Sequence, residues 1–227
     1  YFLPNTPILA TARNNNTLEF WDVRTGNRVE LLTTANNQIL DISDDGTYVI
    51  TRKDDKLLTL QNVRTGEILF DDYQPHLSSL NDTDISIPEN LMATAGADGV
   101  VKLFDLRDRS QEALIRADDN GVNKVAFSPN ETLLATMGSD GVHVYDYRPI
   151  FNIIERYVFS LSIDEPNALY FSLDGSLLFA HVGDTLHVWS MKNGIEVANY
   201  TLPDGDSIIT ADGTHIIGVD TQGSIYS

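Results

Sequence analysis

The sequence predicts an all-β protein built from repeated four-stranded antiparallel units, and three observations predict it. One phrase recurs: an alternating apolar strand ends in an aromatic or polar residue, then Asp, Asn or Ser, then a turn. Its copies are Leu18–Asp22, Leu58–Asn62, Val101–Asp105, Val142–Asp146 and Leu186–Ser190. The second observation is the period: the terminal residues Asp22, Asn62, Asp105, Asp146 and Ser190 are separated by steps of 40, 43, 41 and 44 residues. A fixed period of this length marks a repeat architecture, because a unit that cannot bury both faces alone must stack on copies of itself. Third, the text between these endpoints divides into short alternating segments separated by turn residues, and it lacks extended helical periodicity.

Bulk composition agrees and narrows the function. The 227 residues are 42% hydrophobic and 21% charged, enough to build a sizeable core and unlike a disordered chain. No stretch approaches the ~18 consecutive apolar residues of a membrane helix. Residues 1 to 20 show no targeting segment, so the expected compartment is the cytoplasm. Without cysteine there are no disulfides or thiolate metal ligands. A formal charge of -18 repels phosphate backbones and anionic lipid and suits a basic peptide or domain, so the expected partners are other proteins, with no nucleic acid, membrane or small-molecule substrate. The acidic doublets Asp44-Asp45, Asp54-Asp55, Asp71-Asp72 and Asp118-Asp119 read as turn residues, since Asp bonds its own backbone.

Taken in order, Ile8–Thr11 aligns with Leu91–Thr94 as a second strand, which puts Phe2–Asn5 on Phe127–Asn130 and residue 1 inside an inner strand. The clearest period runs Val122–Ser128, a turn at Pro129–Glu131, Leu133–Gly138, a turn at Ser139–Gly141, Val142–Asp146 and a looser outer strand from Phe151 to Phe159. Each unit is therefore a four-stranded meander. At the far end, Ile208–Gly213 reads as an inner strand and turn, His215–Val219 as the next strand and Ser224–Ser227 as a third.

Phe127-Ser128-Pro129-Asn130, Leu133-Leu134-Ala135-Thr136, Ser139-Asp140-Gly141 and Trp21-Asp22 resemble the consensus phrases of the WD40-repeat family, in its order. The resemblance covers essentially the whole chain and implies a WD40-type β-propeller, with four-stranded blades arranged radially around a channel. On this reading residues 1–227 are a single propeller domain of about six blades, whose repeats end near Asp22, Asn62, Asp105, Asp146, Ser190 and Ser227. Both ends fall in mid-blade, so the expectation is a portion of a longer polypeptide and of a seven-bladed ring. The rival is a six-bladed ring closed irregularly by residues 1 to 4.

The resemblance also implies a structural hydrogen-bond network: His76 in the loop entering the third blade, Thr94 on its second strand, Asp98 in its tight turn, and Phe104 in place of the usual Trp. Other blades keep parts of it, Thr11 with Asn15 and Trp21, and Thr51 with Asp55 but Gln61 where the aromatic belongs, so blade two should be the weakest packed. His, Asp and a hydroxyl elsewhere suggest nucleophilic catalysis, but this spacing puts them inside a blade. His143 and His187 share one column, about a blade apart and beyond shared metal ligation. The acidic turns lack calcium-loop spacing, and no phosphate-binding loop is present. Channel-facing positions Asp41, Thr83, Ala126 and Tyr170 form no acidic ring, so no catalytic residue, metal or cofactor is nominated.

What remains is a non-catalytic scaffold or peptide-recognition module, whose loops bind while its strands hold them. The resemblance favours the face bearing the loops between second and third strands and those entering each blade, which nominates Arg13, Asn14, Arg52, Lys53, Asp54, His76, Asp118 and Asn120. Two alternatives stand beside it. Trp21-Asp22-Val23-Arg24 and Phe104-Asp105-Leu106-Arg107 resemble the signature of substrate-receptor subunits of cullin-4-type ubiquitin ligases. The propeller could also be a sensor or autoinhibitory part of a larger multidomain protein.

Overall fold

The computed structural model describes residues 7–13, 17–33, 38–43, 45–129, 132–147, 153–159, 166–202, 205–209, 216–220 and 225–226. Among them there is no helix, and 22 strands form six consecutive antiparallel sheets. Blade one comprises β1 (Ile8–Arg13), β2 (Thr17–Asp22) and β3 (Asn27–Thr33). Blade two has β4 (Gln38–Ile42), β5 (Tyr48–Arg52), β6 (Leu58–Asn62) and β7 (Ile68–Tyr73). Blade three has β8 (Leu80–Ser86), β9 (Leu91–Gly96), β10 (Val100–Asp105) and β11 (Gln111–Arg116). Blade four has β12 (Val122–Phe127), β13 (Leu133–Gly138), β14 (Gly141–Asp146) and β15 (Ile154–Phe159). Blade five has β16 (Pro166–Phe171), β17 (Leu177–Val182), β18 (Thr185–Ser190) and β19 (Ile195–Thr201). A sixth sheet is β20 (Gly205–Ile209), β21 (Ile216–Asp220) and β22 (Ile225–Tyr226). The readings placed on Phe2–Asn5, Asn130-Glu131 and Thr210–His215 lie outside the described residues.

Every four-stranded sheet is a meander in which each strand pairs with its sequence neighbour. The register repeats with the sequence. In blades one to five, pairing of the third strand with the fourth slips at the same place, between Phe20 and Trp21, Leu60 and Gln61, Leu103 and Phe104, Val144 and Tyr145, and Val188 and Trp189. A bulge there adds twist and lets the aromatic column tuck behind the outer strand. One acidic doublet is misplaced by the sequence reading: Asp71-Asp72 lies within β7, where Asp72 takes a φ of 44°, and not in a turn.

Alternation fixes which neighbour each side chain meets, since successive residues point to opposite faces. Two residues before the terminal Asp or its substitute, Phe20, Leu60, Leu103 and Val144 face the following blade. One residue before it, Phe104, Tyr145 and Trp189 face the preceding blade. The core is accordingly a series of inter-blade layers. Ile50, Leu58 and Leu60 of blade two meet Met92, Phe104 and Leu106 of blade three; Ala93, Val101 and Leu103 meet Phe127, Leu134 and Tyr145; Ala135, Val144 and Phe159 meet Leu178, Trp189 and Met191. Rings reinforce these layers: Phe104 lies edge-on to Phe70 and Tyr73, and Trp189 stacks on Phe159 at 4.6 Å between centroids. Between blades one and two the layer is Ala10, Leu18 and Phe20 against Val49 and Val63, with no ring from blade two. Gln61 holds the aromatic position and turns away, its amide donating to the Gly66 carbonyl at 3.3 Å. Thin packing around blade two is thus confined to the side facing blade one.

Candidate functional site

The inner strands β4, β8, β12 and β16 converge on one cavity of about 330 Å³. Counting register from the third strands, Asp41 pairs with Ile50, Asp84 with Ala93, Ala126 with Ala135 and Tyr170 with Phe179, so Asp84 and not Thr83 shares the column of Asp41. The acids here hold backbone. Asp82 accepts the Val125 amide at 3.0 Å, and Asp84 accepts those of Ile85 at 2.7 Å and Phe127 at 2.6 Å. Asn81 adds an amide donor to the Val122 carbonyl at 2.8 Å. Three side chains of β8 thereby lace its edge to the inner strand of the next blade. Burial pushes the Asp82 carboxyl up against the pull of Lys124, 3.6 Å away.

At the end of the blades that carries the β5–β6 and β9–β10 connections, His76 has no exposed side-chain surface. Its Nδ1 lies 3.0 Å from Asp98 Oδ1 and its Nε2 2.9 Å from Thr94 Oγ1. A carboxylate only accepts, so Nδ1–H donates to Asp98; in the neutral imidazole Nε2 then accepts from the Thr94 hydroxyl. Burial lowers the His76 pKa despite Asp98, in keeping with that tautomer. Asp98 Oδ2 also accepts the Leu77 amide at 3.2 Å. Buried in this way, His76 cannot touch a partner, and its nomination as a partner-binding residue is corrected. Phe104 has no donor to extend the network, whereas in blade one Trp21 Nε1 donates to Thr11 Oγ1 at 3.1 Å. Nothing joins Thr51 to Asp55, which is exposed.

Blade four substitutes an acid for the histidine. Asp118 stands 18 residues before Thr136 and 22 before Asp140, the spacing of His76 from Thr94 and Asp98. It accepts the Asn120 amide at 2.6 Å, the Asp140 amide at 3.1 Å and the Ser139 hydroxyl at 3.1 Å. Burial opposes ionisation of Asp118, but these donors prevail and lower its pKa, while burial and the contact with Asp118 raise that of Asp140. Asn120 is exposed and donates to Ser139 Oγ at 3.1 Å.

The other nominated residues divide between surface and scaffold. Arg52 is half-buried and engaged, donating to the Leu80 carbonyl at 2.9 Å and to Gln38 Oε1 at 2.7 Å. Lys53 is exposed and pairs with Asp72 at 2.5 Å. Asp54, also exposed, caps its own bend by accepting the amides of Lys56 and Leu57, which lower its pKa. The Arg13 side chain and Asn14, like Asn15, lie outside the described residues. Sequence reasoning passed over Leu77. It is 88% exposed, directly follows buried His76, and is clamped by the Asp98 bond to its amide and by Lys56 Nζ on its carbonyl at 3.1 Å. Its signal was weak, one apolar residue in a polar loop.

A family model described as "WD domain, G-beta repeat" matches residues 110–145, which run through β11, β12, β13 and all of β14 but its last residue. Residues 110–145 are thus a WD40 repeat. Autophagy-related protein 16 of Arabidopsis thaliana is 28% identical over 143 residues, 60% of this chain and 28% of that protein. Pre-mRNA-processing factor 19 of Oryza sativa subsp. japonica is 27% identical over 202 residues, 85% of this chain and 37% of that protein. The WD repeat-containing protein 55 homolog of Dictyostelium discoideum is 24% identical over 145 residues, 61% and 35% respectively. The chain thus spans a minor part of each of these relatives. In its own WD40 turns the arginines are engaged locally: Arg24 pairs with Asp22 at 3.2 Å, and Arg107 makes a forked pair with Asp105, lowering that carboxyl to about 2. His143 and His187, in one column of these WD40 blades, bond to Asp140 and Glu196. Among the described residues no group of three or more His, Cys, Asp or Glu is arranged to hold a metal ion.

Proposed function

We propose that this WD40 chain is a non-catalytic protein-interaction module that uses the loop face around Leu77. The observation that carries the reading is a large apolar side chain, 88% exposed, on backbone held by Asp98 at its amide and Lys56 at its carbonyl. Backbone already fixed in place loses little entropy on binding, which favours Leu77 as a docking anchor. Exposed Lys53, Asp54 and Asn120 supply a polar rim, and the scaffold role of Arg52, His76 and Asp118 keeps that rim rigid. The chain's charge of -18 favours a basic peptide or domain as the partner. The ligase-receptor reading draws no support from the turn arginines, whose guanidinium groups are occupied by Asp22 and Asp105.

The test compares affinity capture by wild type, Leu77→Glu and Leu173→Glu, the last on the opposite ends of the blades and 41% exposed. Leu77→Glu should lose the captured proteins and Leu173→Glu should keep them. Identical capture by all three would refute this face.

A further inference from the structure

Blade two departs from the repeat at two adjacent positions, and the departures meet in one notch. Gln61 replaces the ring that Phe104, Tyr145 and Trp189 push against their preceding blades. The matching residues opposite the bulge differ accordingly: Leu69 of β7, in one apolar layer with Phe104, is 9% exposed, whereas Val29 of β3, at the same register position, is 56% exposed. The second departure is Asn62 in place of Asp. In the equivalent turns Arg24 and Arg107 pair with the acids Asp22 and Asp105. Asn62 instead spends its single side-chain oxygen on the amides of Arg64 and Thr65, at 3.0 and 2.9 Å. Among the described residues nothing engages the Arg64 guanidinium.

Between these two sites lies a cavity of about 480 Å³ with Ile8, Phe20, Val29 and Val63 on its walls and Arg64 at its rim. That size falls within the range of ligand pockets, about 300–1,000 Å³. Asp45 also borders it, but its carboxylate is folded into its own turn, accepting the Ser43 hydroxyl at 2.9 Å and the Thr47 amide at 2.9 Å, with the Thr47 hydroxyl bonded as well.

We propose that this notch between blades one and two is a second binding site, for a peptide segment in which an aromatic side chain adjoins a carboxylate. The ring occupies the place that the other blades fill with their own aromatic residue, and the carboxylate takes the fork of Arg64, whose geometry suits a planar bidentate partner. The overall charge of -18 disfavours a polyacidic ligand, which limits the class to one acid beside one ring. The site lies at the opposite ends of the blades from Leu77 and does not depend on that face.

N-acetyltryptophan carries both groups and serves as the probe, with methyl-resolved NMR as the readout. Titration should shift the methyl signals of Ile8, Val29 and Val63. N-acetyltryptophanamide, or the Arg64→Gln variant, should bind about tenfold more weakly, as expected for one charge-assisted contact. Gln61→Phe, which restores the ring that the other blades carry at this position, should abolish the shifts while leaving remote Leu134 and Val144 signals in place; if that variant does not fold, the acid-against-amide comparison decides. Absent shifts, equal affinity for acid and amide, or unaltered shifts in folded Gln61→Phe would each overturn the proposal. So would movement of the same three methyl signals on raising protein concentration alone, which would give the notch to a second copy of the chain.

Discussion

At the scale of single residues, His76 shows how a group that resembles a catalytic base becomes a structural pin. Its two nitrogens are both committed, one to an acceptor and one to a donor, and it is buried neutral. Linkage then has a definite sign. The folded pKa lies below the ordinary value of 6.5, so the unfolded chain takes up the proton first as pH falls. The stability contributed by neutral His76 is complete above pH 6.5 and declines below it, toward the folded pKa. Thermal melts taken on both sides of that pH should show wild type losing stability on acidification and His76→Gln losing less; parallel curves would count against the buried neutral ring. Thr94→Val removes the hydroxyl that donates to Nε2 and should cost roughly 1–3 kcal/mol in denaturant unfolding, the penalty of an unsatisfied buried polar atom. That substitution keeps the branched shape and deletes only the hydroxyl, so the loss reports the hydrogen bond.

At the scale of elements, the turns and strand joints carry the repeat. The turn after the third strand closes through Gly26, Gly66 and Gly194, at φ of 69°, 73° and 68°, but blade three places Arg109 there at φ 67°. A left-handed conformation costs a residue with a Cβ about 1–2 kcal/mol, and the exposed pair of Arg109 with Glu67 returns little of it. Arg109→Gly should therefore stabilise the chain by up to about 1 kcal/mol after glycine's own entropy loss; a fall in the denaturation midpoint would contradict it. The joint between β8 and β12 makes the opposite prediction. Asp84→Ala strands the Phe127 amide, so hydrogen exchange at that amide should accelerate and unfolding should become easier by roughly 1–3 kcal/mol. The strands, their order and the meander were legible in sequence because a two-residue alternation and a fixed period both survive in one chain. The lacing by Asn81, Asp82 and Asp84 was not, because it depends on an inner-strand bulge between Leu80 and Asp82 that shifts register by one and leaves no compositional trace. Leu77 was hidden for a different reason: exposure of one apolar residue is decided by the loop around it, not by its own identity.

At the scale of the molecule, stability is the sum of nearest-neighbour layers, since blades two, three and four each pack on the blade before and the blade after. Such an assembly opens where a layer is thinnest. The layers on either side of blade four are dense with rings, whereas the layer between blades one and two rests on Ala10, Leu18, Phe20, Val49 and Val63 without an aromatic from blade two. Native-state hydrogen exchange across a denaturant series should separate the two cases. Amides of Ala10 and Phe20 should exchange through a partial opening with a free energy well below the global value, while those of Ala93 and Ala135, at the centres of blades three and four, should exchange by global unfolding. Gln61→Phe should raise the free energy of that partial opening toward the global value, because it restores the ring that the other layers possess. Two independent quantities thus turn on residue 61, the ease with which blade one parts from blade two and the space available to a ligand between them. If all four amides merged on a single isotherm in wild type, the layers would be equal in strength and Gln61 would have no structural consequence; a partial opening unchanged in Gln61→Phe would place the weak seam elsewhere in blade one.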